Sequence, residues 1–138
     1  MNKTIILAAA CAALTGCGSS SSTSADSKKQ SLEQRWLIVD ASGYSTTNSP
    51  DEAYIEFDGK GGVNGCTGAN TFFGSYSLES GEISIEGVNT SRMGAGPYRE
   101  TEHAVLTAMR EAKSFSVEGN TVKLLDASGR EVMKLVKD

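Results

Sequence analysis

Histidine is nearly missing from this chain: His103 is the only one, so a zinc site would have to be built from Cys66 and carboxylates, with no closed tetrahedral set in view. No serine stands in a Gly-x-Ser-x-Gly frame, which removes the esterase elbow. Basic residues are outnumbered, 13 Lys plus Arg against 17 Asp plus Glu, and form no stripe. A nucleic-acid partner therefore lacks its electrostatic footprint. No apolar run is long enough to cross a bilayer as a helix. Proline occurs twice and cysteine three times, at positions 11, 17 and 66.

The one apolar run that is present has a distinct meaning. Lys3 precedes Ile5-Ile6-Leu7-Ala8-Ala9-Ala10-Cys11-Ala12-Ala13-Leu14, and Leu14-Thr15-Gly16-Cys17 then reads as a lipobox, with serines close behind. Cys11 fits less well, because its apolar run is half as long and Ala8 stands where a branched residue belongs. Residues 1–16 are expected to be a lipoprotein signal peptide, with Cys17 lipidated as the first mature residue. Losing Lys3 leaves 12 basic against 17 acidic residues, a formal charge of −5. Such a surface does not attract anionic headgroups, so the membrane link rests on acyl chains worth about 0.8 kcal/mol per buried methylene. Gly18, not aspartate, comes after the cysteine, so the outer membrane is the default location, and the domain is expected to face the periplasm.

Residues 17–31 hold the lipidated cysteine and Gly-Ser-Ser-Ser-Ser-Thr-Ser-Ala-Asp-Ser-Lys-Lys-Gln-Ser, with nothing apolar larger than alanine. This composition predicts a flexible tether spanning about 20 Å. Residues 32–138 remain for one domain of about 105 residues. With Cys11 removed and Cys17 acylated, Cys66 has no internal partner, so no intramolecular disulfide is expected and the thiol should be buried.

Short alternating segments separated by glycine turns predict antiparallel strands over Arg35 to Asp40, Ala53 to Asp58, Phe72 to Leu78, Glu82 to Val88, Ser114 to Glu118, Thr121 to Leu125 and Glu131 to Val136. Ile55 with Phe57, Tyr76 with Leu78, Ile83 with Ile85, Phe115 with Val117 and Val122 with Leu124 each share a sheet face, and join Trp36, Ile38 and Leu135 in the expected core. Gly59-Lys60-Gly61-Gly62, Ser80-Gly81, Gly119-Asn120 and Ser128-Gly129 supply the turns. A helix is expected from Pro97 to Lys113, burying Val105, Ala108, Met109 and Ala112, with Glu100 and Glu102 near the positive end of its dipole.

The segment from Gly61 to Gly74 is the richest in glycine and fails as a phosphate loop, because no Lys-Ser/Thr pair opens a helix after it. Its glycines are read as turns, bulges or points of close backbone approach. A Cys66–His103 nucleophile pair is possible on paper, but His103 sits between Glu102 and Ala104 on a helix flank read as solvent-facing. Glu79, Glu82 and Glu86 read as solvated charges.

Two motifs resemble those of the META domain family, which includes the HslJ-like heat-inducible lipoproteins. The first usually reads Gly-x-x-Gly-Cys-Asn, then aromatic residues and Gly-x-Tyr; here Gly65-Cys66-Thr67-Gly68-Ala69-Asn70-Thr71-Phe72-Phe73-Gly74-Ser75-Tyr76 departs from it at one position. The second usually reads Thr-x-Met-Ala-Cys, and here it is Thr90-Ser91-Arg92-Met93-Gly94-Ala95. The resemblance implies a mainly β (α+β) fold, a small antiparallel β-barrel or roll with one α-helix. It implies no catalysis, no cofactor and no metal. Gly65, Gly68, Asn70, Gly74, Tyr76, Thr90, Arg92 and Met93 are read as structural. Ala69 and Ala95 occupy both family cysteine positions and are expected to be neighbours in the core. Asn70 is expected to be buried, holding the glycine segment against a strand that starts after Arg92.

The sequence thus describes a monomeric, non-catalytic envelope module joined to the membrane through Cys17, serving stress tolerance or binding an envelope protein. One alternative is an inhibitor of an exported hydrolase, such as a lysozyme or protease, presenting the loop Ser42 to Asp51. Another is a carrier holding an apolar ligand inside the barrel, which needs an interior that Trp36, Phe57, Tyr76, Phe115 and Met109 leave empty.

Overall fold

A computed structural model describes residues 21–138 apart from Ser80 and Arg92, with side chains from residue 27 onward. The expected lipidation at Cys17, the role of Arg92 and the Ser80 half of one turn lie outside the described residues.

Among the described residues nine strands form one antiparallel sheet: β1 (Arg35–Ala41), β2 (Tyr44–Ser45), β3 (Tyr54–Phe57), β4 (Gly62–Cys66), β5 (Thr71–Glu79), β6 (Glu82–Thr90), β7 (Ser114–Glu118), β8 (Thr121–Leu125) and β9 (Glu131–Lys137). The sheet curls into a ring because β1 pairs with β3 on one side and β9 on the other, Trp36 standing opposite both Ile55 and Lys137. Around the ring the ladders are continuous except between β6 and β7, where the register holds a single pair, Glu82 with Ser114. Among the described residues two helices accompany the sheet. The first, α1 (Ser21–Leu32), leads into β1, and the second, α2 (Arg99–Glu111), packs on β6, β9 and β1 and is entered through a 3-10 turn at Gly96–Tyr98 that carries Pro97.

The alternating pairs point inward as expected. Ile55, Phe57, Val122 and Leu124 are buried, as are Trp36, Ile38 and Leu135. Leu78 and Val117 pack against this core half-buried. From α2, Ala104, Val105, Ala108 and Met109 face inward, with Ala112 just beyond them; the three small alanines let the helix lie close to the sheet. Burying a large apolar side chain contributes about 1.5–3 kcal/mol. Trp36, Phe57, Tyr76, Phe115 and Met109 fill the interior, with Phe57 and Tyr76 edge to face at 5.0 Å between ring centres.

Three elements depart from the expectations. β4 stands where a loop is expected, because Gly62 and Gly65 hide its alternation and leave Val63 as its one large apolar residue. β2 is only two residues long, too short for any periodicity. The third is α1, a helix where composition predicts a coil. Residues 27–31 are exposed, but Leu32 is wholly buried and its carbonyl accepts a hydrogen bond from Trp36 Nε1 at 3.0 Å. The last turn is thus fixed by the domain, with Lys29 and Glu33 paired across it.

Candidate functional site

The glycine segment folds into a knot whose positions need the absence of a side chain. A Cβ on Gly65 would run into the carbonyl oxygen of Tyr54 and lie 2.8 Å from Phe72 Cζ. Gly74 sits where β5 shifts register against β6, and a Cβ there would meet Glu86 O at 2.8 Å. Gly68 adopts φ +99°, the left-handed region, facing Ser49 and Tyr98. Close approach, turn and bulge, the three roles expected of these glycines, are each present.

Between Gly65 and Phe72 the chain turns back on itself through Thr67, which is fully buried. Its Oγ1 accepts hydrogen bonds from the Asn70 and Ala69 N–H groups at 3.0 and 3.3 Å. The hydroxyl proton has two acceptors at 3.1 Å, Asn70 O and Glu102 Oε1. Asn70, 4% exposed, reaches two other segments. Its Nδ2 donates to Glu102 Oε1 at 2.6 Å, and its Oδ1 accepts from Met93 N at 2.7 Å and from Ser91 Oγ at 3.4 Å. Tyr98 completes the knot by donating its buried hydroxyl to Thr67 O at 3.0 Å, and that burial holds its pKa above the ordinary tyrosine value.

Asn70 therefore fastens the glycine segment to the stretch after Thr90, as expected, but the residues beyond Arg92 form a loop and the 3-10 turn, not a strand. Glycine at 94 and 96, both at positive φ, keeps the chain from extending there. Met93 acts through its backbone N–H, for its side chain is 83% exposed. Ala69 is half-buried, as is Ala95, and neither belongs to the core, contrary to expectation. The loops that carry them need no apolar filling, because polar bonds already close them. Thr90 pairs with Phe72 at the end of β6. Tyr76 lies apart from the knot, its hydroxyl accepting from Gly59 N at 3.1 Å and donating to Glu33 Oε1 at 3.4 Å. Burial raises its pKa, and the Glu33 carboxylate adds to the effect.

Glu102 is the member of the knot that the sequence pattern does not reveal. Its place in the first turn of α2 reads as a charge against the helix dipole, and a partner 32 residues away leaves no mark in a sequence pattern.

Cys66, 6% exposed, receives a hydrogen bond at Sγ from Gly68 N at 3.3 Å. Burial pushes its thiol up from the ordinary range, so it stays protonated and weakly nucleophilic at neutral pH. His103 is exposed and its Nε2 lies 3.5 Å from Thr107 Oγ1; it makes no hydrogen bond to Cys66. Among the described residues no three His, Cys, Asp or Glu side chains converge.

A second feature lies on the flank. The β1–β2 hairpin turns through Ser42 (φ 51°) and Gly43 (φ 85°), both left-handed as a type I′ turn requires. Between this hairpin and α2 runs an open groove of about 530 Å³, lined by Ser42 and Tyr44 on one side and by Arg99, Glu100, His103 and Ala104 on the other.

Known proteins bear on the fold and the family. An NMR structure of a protein from Burkholderia xenovorans aligns at 20% identity with a TM-score of 0.63, covering 81% of this chain and 87% of that one. Another NMR structure aligns at 20% identity and 0.62, over 78% and 92% of the two chains. The crystal structure of a DUF4847 family protein from Bacteroides vulgatus aligns at 14% identity and 0.57, over 78% and 94%. These likenesses establish a shared fold. No curated protein matches the sequence. The META domain model matches residues 29–138, from the last turn of α1 to the end of the chain, and so takes in both the glycine and the Thr-Met motifs. The chain belongs to the META domain family.

Proposed function

We propose that the protein is a non-catalytic module of the bacterial cell envelope, anchored by lipid at Cys17 to the outer membrane and facing the periplasm, where as a monomer it serves stress tolerance or binds an envelope protein. The observation that carries the non-catalytic reading is the closure of the knot. Thr67, Asn70 and Tyr98 direct their hydrogen bonds to loop backbone and to Glu102 Oε1, and the one described thiol is buried and protonated. A reacting group needs the opposite, a polar atom left over for substrate. The lipobox Leu14-Thr15-Gly16-Cys17 supports the anchor, and the acidic balance fits a partner other than nucleic acid.

Mass spectrometry of the native N-terminus tests the anchor: an acylated Cys17 is expected, and an unmodified or different terminus overturns it. Affinity capture from intact cells, with the natural chain beside Cys17→Ala, tests the module; recovery of no envelope component by either rules out the binding role.

A second reading, inhibition of an exported hydrolase, is favoured by the order of the loop Ser42 to Asp51. Thr46 Oγ1 donates to Ile38 O, Ser49 Oγ lies 2.7 Å from Thr46 O, and Asp51 N donates to Gly68 O at 2.9 Å. Such a loop meets a partner with little ordering cost. Unchanged rates of lysozymes and envelope proteases on co-incubation remove this reading. A carrier holding its ligand inside the ring is opposed by the filled interior.

A further inference from the structure

The flank groove has three properties that the knot lacks. The first is an unengaged arginine. Arg35 pairs with Glu52 and Asp138, Arg130 with Asp126, and Arg110 donates to Thr107, whereas Arg99 makes no ion pair or side-chain hydrogen bond among the described residues. Second, His103 lies one helical turn beyond Arg99, so both line the groove from the same face of α2. Third, an aromatic side chain lines the groove and is exposed in it. Tyr44 is 44% exposed, and it stands two residues after Ser42, the single non-glycine residue at positive φ among the described residues. That left-handed serine belongs to the type I′ turn of the hairpin that carries Tyr44 beside α2.

We propose that this groove binds a small planar apolar carboxylate, its ring packed against Tyr44 and Ala104 and its carboxylate received by the Arg99 guanidinium with His103 beside it. The volume lies in the range of small-molecule sites, and a largely apolar lining with a few convergent polar groups is their usual make-up. Arginine presents a planar fork that matches a carboxylate through two parallel N–H···O bonds, which a neutral amide cannot accept in the same way. Glu100 also lines the groove and opposes an anion, so recognition comes from the directed Arg99 fork and not from net charge. The site lies outside the filled ring and does not depend on where the chain is anchored.

The test titrates 2-naphthoate into the isotope-labelled full chain and follows backbone amide shifts, with 2-naphthamide as the uncharged control. Saturable shifts are expected at Ser42 to Tyr44 and along the first two turns of α2. The amide should bind about tenfold more weakly, the loss expected for one charge-assisted pair. Arg99→Gln should weaken naphthoate binding about tenfold and Tyr44→Ala several-fold, while Glu100→Gln should tighten it. These side chains are solvent-exposed, so the variants keep the fold, which the unperturbed remainder of each spectrum verifies. Equal affinity for acid and amide, indifference to Arg99→Gln, shifts centred elsewhere, or no saturation at about 10 mM, the weak end of specific binding, would each overturn the proposal.

Discussion

The knot around Asn70 and the groove beside Arg99 are built from similar side chains and put them to opposite use. In the knot the polar side chains find partners within the chain: one carboxylate, Glu102, receives both Thr67 and Asn70, and the amide oxygen of Asn70 receives a backbone N–H from a third segment. In the groove Arg99 and Tyr44 are exposed, and neither side chain has a hydrogen-bond partner among the described residues. Most of the family motif lies in the first region, where its polar groups are bonded within the chain. Anything this molecule does to a partner is better sought in the second.

The contrast can be broken most forcefully at Gly65. Gly65→Ala places a methyl against the Tyr54 carbonyl, where neither backbone nor the Phe72 ring can yield cheaply, and should cost about 3 kcal/mol in urea unfolding. A loss under about 0.5 kcal/mol, the range of ordinary surface changes, would show that β3 and β4 can part without penalty. Asn70→Ala comes next. It strands the Met93 N–H and removes one donor from Glu102, and about 2–3 kcal/mol should be lost. Combining it with Glu102→Ala should cost less than the sum of the two, since the pair acts as one unit; strict additivity would dissolve the knot as a concept. On the groove side the signs change. Ser42→Gly relieves a left-handed serine and should gain about 0.5–1 kcal/mol, read as a higher urea midpoint at unchanged slope. Arg99→Gln should leave stability within about 0.5 kcal/mol, so that its effect appears only in binding.

Much of this architecture is legible in the chain. Pairs such as Ile55 with Phe57 and Val122 with Leu124 alternate because one face is buried, and the same physics sets both pattern and fold. The Gly119-Asn120 and Ser128-Gly129 turns announce the two C-terminal hairpins, which pair in the expected order. Three things escape for definite reasons. β4 replaces side chains with glycine, so it has a backbone ladder and almost no pattern. α1 is tied down at its last turn, where Leu32 is buried in the core and bonded to Trp36, contacts that lie beyond its own composition. Glu102 meets Asn70 and Thr67 across more than thirty residues, and a long-range pair of that sort is set by topology. Met93 shows the reverse case, a motif residue whose exposed side chain is incidental and whose amide is the contact.

The flanking of β1 by both β3 and β9 has a mechanical side. A load applied through the N-terminal end enters the sheet at Arg35 and runs along a strand with neighbours on each edge. Pulling in that direction slides two sets of backbone bonds at once, so they share the force instead of opening one after another like a zip. A domain pulled from its leading end resists being drawn apart more than one held by a single ladder.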